Sequence, residues 1–346
     1  MLRTSSYDMT CNILIMTTLH INQQTHDVEI NVFASEPLSR KYIESRSLWN
    51  DITYHTVRGF ESCLIYTWIA KDLCWTLYSP DPIWEIFAGT ALGFGVLVML
   101  RSVIDFELED AWHRIAEFLW VFANFLWMSA DIHDFYETNE EEITSVRYPQ
   151  AAHILEATMC WLAIYYLFIK PSGIKLSATS ESSQMYDGTG LVPRFAYFEN
   201  WRQYENVHIV WWIGKDYAWL TENQVMWVIF VIPTVLISID FVICTGRTKR
   251  LMIDHCYYIS QLLWVLANIT WAYGELYLPE ELDEPRSPWV YDKYTKASMR
   301  WYSCWLLIFA YLPLVFLLCC WLPLMVWAYQ SKDGRGVYIS SYVQSL

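Results

Sequence analysis

Two Lys-Asp dipeptides lie inside apolar stretches of this sequence, Lys71-Asp72 and Lys215-Asp216. On insertion scales, an ionisable residue at the centre of a membrane-spanning helix costs about 2.5 to 3.5 kcal/mol, so such residues face protein or a polar cavity rather than lipid. Successive residues of a helix point about 100° apart, so we expect each member of a dipeptide to find its partner on another helix. In that arrangement the four side chains could bind a small ligand, an ion or a proton.

Polar residues and tryptophans follow one helix face in each of four segments. The faces that contain Lys71 and Lys215 are matched by faces that contain Asn124 and Asn268. We therefore hypothesise that the Lys71 helix faces the Asn124 helix, and that the Lys215 helix faces the Asn268 helix. The four stripes comprise Trp68, Lys71 and Trp75; Glu117, Trp120, Asn124, Trp127 and Asp131; Trp212, Lys215 and Trp219; and Gln261, Trp264, Asn268, Trp271 and Glu275.

Two interpretations of these stripes are open. In the first, charges and aromatic faces line a polar cavity, because ionisable groups at membrane depth commonly mark functional sites and tryptophan faces attract cations. In the second, Lys, Asp and Asn form a buried polar clamp that sets helix register, and the tryptophans serve packing. The candidate residues of the ligand site or polar network are Lys71, Asp72, Trp75, Trp120, Asn124, Trp127, Asp131, Lys215, Asp216, Trp219, Trp264, Asn268, Trp271 and Glu275.

The stripes belong to an internal repeat in which matching residues are 144 positions apart. Three motifs, each containing the rare residue Trp, share this offset, which compositional bias alone does not explain. The matches are residues 71–75 (KDLCW) with 215–219 (KDYAW), 120–127 (WVFANFLW) with 264–271 (WVLANITW), and 160–162 with 304–306 (both CWL).

Hydrophobic residues make up 55% of the chain, which indicates a membrane protein. We predict an all-α polytopic fold with eight transmembrane helices, arranged as two tandem four-helix repeats. An even number of helices in each repeat gives both repeats the same orientation, so they should be parallel. The predicted spans, each near the 20 residues that a bilayer requires, are about 62–79, 83–104, 112–132 and 153–170, then 206–221, 225–244, 256–276 and 300–328.

The charge distribution favours eight spans over six. With eight spans, most of the 23 Lys and Arg residues lie on the side of both termini, which the positive-inside rule makes cytoplasmic. The sequence does not indicate which membrane holds the protein. The predicted organisation is a cytoplasmic tail at 1–56, the first repeat at 57–170, a Ser-rich linker at 171–200, the second repeat at 201–329 and a cytoplasmic tail at 330–346.

Composition and motifs exclude several classes of function. A formal net charge of −14 argues against nucleic-acid binding, which needs concentrated Lys and Arg. No phosphate-binding Gly-rich loop or zinc-protease motif occurs, so we predict no cofactor and no metal. Asp131, His133 and Asp134 form the sequence most suited to a metal, but it matches no established ligand spacing.

Three functional hypotheses follow. The leading one is a transporter, channel or receptor for a small solute or ion, with its site at the Lys-Asp pairs. The alternative is a non-catalytic structural or accessory subunit of a membrane complex. The third is a membrane-embedded enzyme, but the sequence contains no recognisable His/Asp spacing that would support catalysis. The expected partners are the lipid bilayer and, by hypothesis, other membrane proteins, further copies of the chain, or the solute itself.

Overall fold

A computed structural model describes residues 64–104, 108–136, 141–173, 198, 201–246, 252–279, 295–321 and 323. The predicted tails at 1–56 and 330–346 and most of the predicted linker lie outside the described residues. Within those ranges all regular secondary structure is helical, as the predicted all-α class requires.

Each predicted membrane-spanning segment contains helix in the described part of the chain. We call residues 64–173 the first half and residues 201–321 the second half; both lie in one compact unit. The first half contains α1 (64–76), α2 (Ile83–Ile104), α3 (Leu108–Phe135) and α4 (Glu141–Ile164, continued by a π-helical turn Tyr165–Ile169). The second half contains α5 (Trp201–Asn206), α6 (His208–Leu220), α7 (Gln224–Gly246), α8 (Met252–Tyr277), α9 (Lys296–Phe309) and α10 (Leu312–Phe316, continued by a π-helical turn Leu317–Trp321).

Four helices, α1, α3, α6 and α8, form the centre of the bundle, and we call them the inner helices. Their tryptophan rings contact one another across both halves. They also bury polar side chains such as Asp72, Asp216 and Asn268. A helix that is enclosed by protein can carry polar residues because neighbouring helices supply their hydrogen-bond partners.

The remaining long helices, α2, α4, α7 and α9, pack around the inner ones, and we call them the outer helices. Their outward faces carry large exposed apolar side chains, among them Leu97 on α2, Ile232 on α7 and Phe309 on α9. Extended apolar surface of this kind is typical of contact with a membrane rather than with water.

Five helices are long and apolar enough to cross a membrane, which supports an integral membrane protein. This group contains the four outer helices and one inner helix, α3. The five candidate spans are Ile83–Ile104, Leu108–Phe135, Ser145–Ile169, Gln224–Gly246 and Lys296–Cys320.

The other three predicted spans, at α1, α6 and α8, do not meet the same criteria of length and hydropathy. The described part of α1 and the whole of α6 each have 13 residues, which corresponds to a length of about 20 Å. α8 has 26 residues, but buried polar groups such as Asp254, Gln261 and Asn268 lower its hydropathy.

A tight turn joins α6 to α7 and makes these helices antiparallel neighbours. Glu222 adopts a left-handed conformation with φ +53°, which reverses the chain direction within three residues. Asn223 then caps α7, because its side-chain oxygen accepts a hydrogen bond from the backbone N–H of Met226 at 3.1 Å. The turn places the apolar face of α7 against the outside of α6.

Candidate functional site

The carboxylate of Asp72 has partners on its own helix and on a helix of the other half. Lys71 Nζ donates to Asp72 Oδ1. From α8, Trp264 Nε1 donates to Asp72 Oδ2 at 2.7 Å, and Asn268 Nδ2 lies 3.3 Å from the same oxygen. Lys71 and Asp72 are only 4% and 3% exposed, so the ion pair is enclosed within the bundle.

The carboxylate of Asp216 on α6 repeats this arrangement. Lys215 Nζ donates to Asp216 Oδ1, and Trp120 Nε1 of α3 donates to Asp216 Oδ2 at 2.7 Å. Lys215 is 1% exposed and Asp216 is 4% exposed. Each carboxylate therefore accepts an indole N–H from the opposite half, and the donors Trp120 and Trp264 are themselves 144 positions apart.

Asn124 and Asn268 occupy matching positions on α3 and α8 but differ in one contact. Each side-chain amide donates to the carbonyl oxygen of the tryptophan four residues earlier, at 3.0 Å for Asn124 and 3.1 Å for Asn268. Asn268 Nδ2 also reaches Asp72, whereas the hydrogen bonds of Asn124 do not include Asp216. The polar network around the first Lys-Asp pair is therefore larger by one donor.

The structure differs from the expected pairing in two respects. We expected the members of each dipeptide to have separate partners on other helices, but Lys71 bonds its neighbour Asp72 because its long, flexible side chain can bend back along the helix. We also expected the Lys71 helix to face the Asn124 helix, whereas Asp72 bonds α8. The expected pairing of α1 with α3 describes the contacts one turn before and one turn after Asp72, where Trp68 meets Trp120 and Trp75 meets Trp127.

Four tryptophans, one from each inner helix, form a closed ring one turn beyond the Lys-Asp pairs. Each indole meets its two neighbours edge to face, with centroid distances of 4.8 to 5.1 Å around the whole ring. Edge-to-face contact is a preferred geometry of aromatic pairs. We call this the first tryptophan ring; its members are Trp75, Trp127, Trp219 and Trp271.

A second group of four tryptophans lies one turn before the Lys-Asp pairs on the same helices. Its centroid distances range from 5.0 to 6.1 Å, and they include contacts across the diagonal. The Lys-Asp pairs therefore lie between two layers of packed indoles. We call this the second tryptophan ring; its members are Trp68, Trp120, Trp212 and Trp264.

Two further carboxylates, Asp131 and Glu275, lie beside the first tryptophan ring. Trp75 Nε1 donates to Asp131 at 2.8 Å, and Trp219 Nε1 donates to Glu275 at 2.8 Å. Both of these bonds stay within one half. Asp131 also accepts a hydrogen bond from the hydroxyl of Tyr148 on α4, and Glu275 accepts one from Trp271 of its own helix.

Arg300 on α9 holds the end of α1, and the sequence stripes did not include it. Its guanidinium donates to the carbonyl oxygens of Trp75 and Thr76 at 3.0 and 3.1 Å, and it lies 3.7 Å from Glu275. A cation at the C-terminus of a helix bonds carbonyl groups that have no partner within the helix. The position 144 residues earlier holds Glu156, so the predicted repeat gave no indication of Arg300.

The described residues also enclose a small pocket at the end of the bundle where α1 begins. Its cavity volume of about 20 Å³ has room for one or two water molecules. Its charged walls are two ion pairs, Arg114 with Glu117 at 2.5 Å and Arg202 with Glu205 at 3.1 Å. Lys71 and Lys215 are not among its lining residues.

His133 and Asp134, the sequence most suited to a metal together with Asp131, do not converge with other ligands. Within the part of the chain that the structure describes, three or more His, Cys, Asp or Glu side chains nowhere come close enough together to hold an ion. The site as described consists of hydrogen-bonded carboxylates, lysines and indoles.

Comparison with known protein families, with curated proteins and with solved structures found no match to this chain.

Proposed function

We propose that this chain is a non-catalytic structural or accessory protein of a membrane, and that its Lys-Asp pairs hold the two halves of the bundle together. The observation that carries this proposal is the exchange of indole donors, by which Asp72 and Asp216 each accept a bond from the opposite half. The other oxygen of each carboxylate accepts from a lysine. Both oxygens of each carboxylate are bonded inside the bundle, so a transported solute would have to compete with these donors.

The packing of the tryptophans supports the same proposal. Edge-to-face rings at about 5 Å leave little free space between them, and the second tryptophan ring lies on the opposite side of the Lys-Asp pairs. A transporter or channel site at Lys71 or Lys215 requires one of these layers to open. For this reason we place the structural role ahead of the transport role.

The proposal includes eight spans in two parallel repeats with both termini in the cytoplasm. It is supported by contacts that recur at an offset of 144 residues: Trp75 with Asp131 and Trp219 with Glu275, and the exchanged donors Trp120 and Trp264. α5 and α6 are separated only by Val207, and 6, 1 and 13 residues together give a 20-residue helical stretch. That length matches a membrane span.

The topology can be tested at the connection between α3 and α4. Eight spans put this connection on the side opposite the termini, whereas six spans that exclude α1 and α6 put it on the side of the termini. A Tyr136→Cys variant in a background without other cysteines should react with a membrane-impermeant maleimide added to the side opposite the termini, because the side chain of Tyr136 is exposed. A tag at either terminus should be accessible only from the other side of the membrane; labelling of the tag and of residue 136 from the same side contradicts the topology.

The clamp can be tested by cutting the chain between its halves. A protease site inserted between residues 174 and 197 allows the purified full-length protein to be cleaved in mild detergent. We expect the halves to remain together in the native sequence and to separate when Asp72→Asn and Asp216→Asn are combined. The matched control is Asp240→Asn, because Asp240 accepts its bond from Tyr204 at 2.7 Å within the second half.

The clamp is contradicted if the cleaved halves of the combined Asp72→Asn and Asp216→Asn protein stay associated as well as those of the Asp240→Asn control. A complementary measurement uses Cys74, which is buried beside Lys71 on α1. In a variant that retains only this cysteine, a sealed bundle predicts no reaction with a water-soluble methanethiosulfonate reagent. Rapid reaction indicates a water-filled path to Lys71 and favours a transport function.

A receptor for a small polar ligand is the second candidate, and the pocket at the start of α1 favours it. Trp68 lines this pocket, and its buried Nε1 has no hydrogen-bond partner, so a solute that binds in the pocket and reaches this atom would gain a hydrogen bond. In a screen of water-sized and slightly larger polar solutes, a solute that binds in this pocket should raise the unfolding temperature of the native protein. The increase should be smaller in a Trp68→Phe variant than in a Trp212→Phe variant, since Trp212 does not line the pocket.

A further inference from the structure

His153 and Glu156 form a polar pair on the outward face of α4. Their side chains are 79% and 60% exposed, and His153 Nδ1 lies 3.8 Å from Glu156 Oε2. The pair therefore has little shielding from the rest of the bundle. Three small residues, Ala157, Cys160 and Ala163, are exposed on the same helix face.

The depth of this pair sets it apart from other charged groups on the bundle surface. The candidate span of α4 runs over Ser145–Ile169, so Glu156 lies within one residue of its midpoint. In the described parts of the five candidate spans, the other exposed Asp, Glu, Lys, Arg and His residues are Glu85, Arg101 and Asp134. Each of those is within a helical turn of a helix end, where it can reach the headgroup region.

An exposed Glu at the centre of a span is unfavourable in contact with lipid tails. Ionisable residues at this depth almost always face protein or water, so the outward face of α4 requires a cover. Small residues on the same face allow another helix backbone to approach closely. A polar pair at the centre of the span and a surface of small side chains beside it together indicate a helix-helix contact rather than a lipid-facing surface.

The second half uses the corresponding face internally. The residues 144 positions after Glu156, Cys160 and Ala163 are Arg300, Cys304 and Leu307. Cys304 and Leu307 are buried, and Arg300 bonds the end of α1. The matching surface is thus occupied in α9 and open in α4.

We propose that the face of α4 defined by His153, Glu156, Ala157, Cys160 and Ala163 binds the same face of a second copy of this chain. Copies inserted in one orientation are related by a two-fold axis along the membrane normal, so equal depths meet. One basic and one acidic group a turn apart make the face self-complementary, since His153 of each copy can bond Glu156 of the other. This proposal depends on α4 crossing the membrane and not on the role of the Lys-Asp pairs.

Charge exchange tests the pairing directly. The full-length protein in lipid nanodiscs or mild detergent should be a dimer by light scattering, and either His153→Glu or Glu156→His alone should weaken dimerisation about tenfold or more, because like charges then meet. Combining both substitutions restores one acid and one base to each face and should restore the dimer. Co-purification of differently tagged single variants should likewise exceed that of either variant with itself.

Crosslinking in native membranes provides a measurement that does not depend on these variants folding. Cys160 is exposed on the proposed face, whereas the exposed Cys319 and Cys320 lie in the π-helical turn after α10. Mild oxidation should produce a disulfide-linked dimer that Cys160→Ser abolishes and that the combined Cys319→Ser and Cys320→Ser protein retains. A monomeric native protein, a Cys160 adduct of a mass other than two copies, or a double charge variant that stays monomeric overturns the proposal.

Discussion

The inner and outer helices of this bundle differ in the side chains that they bury and expose. Inner helices such as α1 and α6 carry Lys-Asp pairs and tryptophans that bond across the bundle, and hardly any of this surface is exposed. Outer helices such as α2 and α7 carry aliphatic residues whose side chains remain exposed. All four outer helices are candidate spans, whereas among the inner helices only α3 is one, because the described α1 and α6 are short and the buried polar residues of α8 lower its hydropathy.

The largest expected effect on stability comes from removing the Lys71 cation from its buried ion pair with Asp72. Lys71→Met leaves the Asp72 carboxylate buried without its cation, and we expect unfolding to become easier by about 3 to 5 kcal/mol. Adding Asp72→Asn should recover part of that loss, because the charge is removed. The measurement is the free energy of unfolding in mixed detergent and denaturant micelles. Equal losses of stability in the single and double variants would contradict the interpretation that the paired charges of Lys71 and Asp72 hold α1 in the bundle.

A pair of isoleucines compares the two classes of helix with the same substitution. Ile213 on the inner helix α6 is 0% exposed and Ile232 on the outer helix α7 is 55% exposed. Ile213→Ala should lower stability by about 2 to 5 kcal/mol, because it leaves a cavity. Ile232→Ala should change stability by less than about 0.5 kcal/mol. Thermal unfolding of the two purified variants measures the difference, and similar losses would remove the distinction between inner and outer helices.

Two tryptophans of the second ring isolate the energy of the hydrogen bond between the halves. Trp264 donates to Asp72 at 2.7 Å, whereas the buried Nε1 of Trp212 has no partner. Both Phe variants lose part of an indole, but only Trp264→Phe loses a bond to a carboxylate. We expect Trp264→Phe to be less stable than Trp212→Phe by about 1.5 to 3 kcal/mol in equilibrium unfolding. The reverse order contradicts the assigned donor.

Substitution of Arg300 tests whether the outer helix α9 also stabilises the inner helix α1. Arg300→Lys keeps the cation near Glu275 but loses the planar group that bonds two carbonyl oxygens of α1 at once. The expected loss is about 1 kcal/mol, smaller than those expected for Lys71→Met, Ile213→Ala and Trp264→Phe. Hydrogen exchange of α1 backbone amides should show faster opening of its last turn, while exchange in α7 should be unchanged. Unchanged exchange in α1 means that Arg300 does not hold that helix.

Local periodicity was sufficient to predict helices and the faces that they bury. Trp68, Lys71 and Trp75 recur at spacings of three and four residues, and all three are buried. The same spacing placed Trp120, Asn124 and Trp127 on one buried face of α3. These predictions succeeded because the burial of one face is a property of each helix by itself. The tandem repeat, eight spans and cytoplasmic termini stay predictions, as does the ligand-binding role of the candidate residues.

Partners between helices could not be predicted in the same way. Asp72 and Trp264 are 192 positions apart, and nothing in either stripe specifies that α1 meets α8 at that level rather than α3. Lys71 could bond its neighbour because a four-carbon side chain has many accessible rotamers, which a fixed angle of about 100° per residue does not describe. Arg300 had no matching residue in the first half and therefore gave no repeat signal.

The sequence by itself determined which faces of α1, α3, α6 and α8 this bundle buries, because the spacing of Trp, Lys, Asp and Asn along each segment defines a helix face. Identical residues also recur in it at an offset of 144 positions, as with Trp75 and Trp219 and with Trp120 and Trp264. Only the tertiary structure decided that the two Lys-Asp carboxylates exchange indole donors between the halves and that packed tryptophans lie on both sides of them. The physical reason is that helix formation depends on neighbouring residues, whereas the choice of partner depends on how whole helices pack.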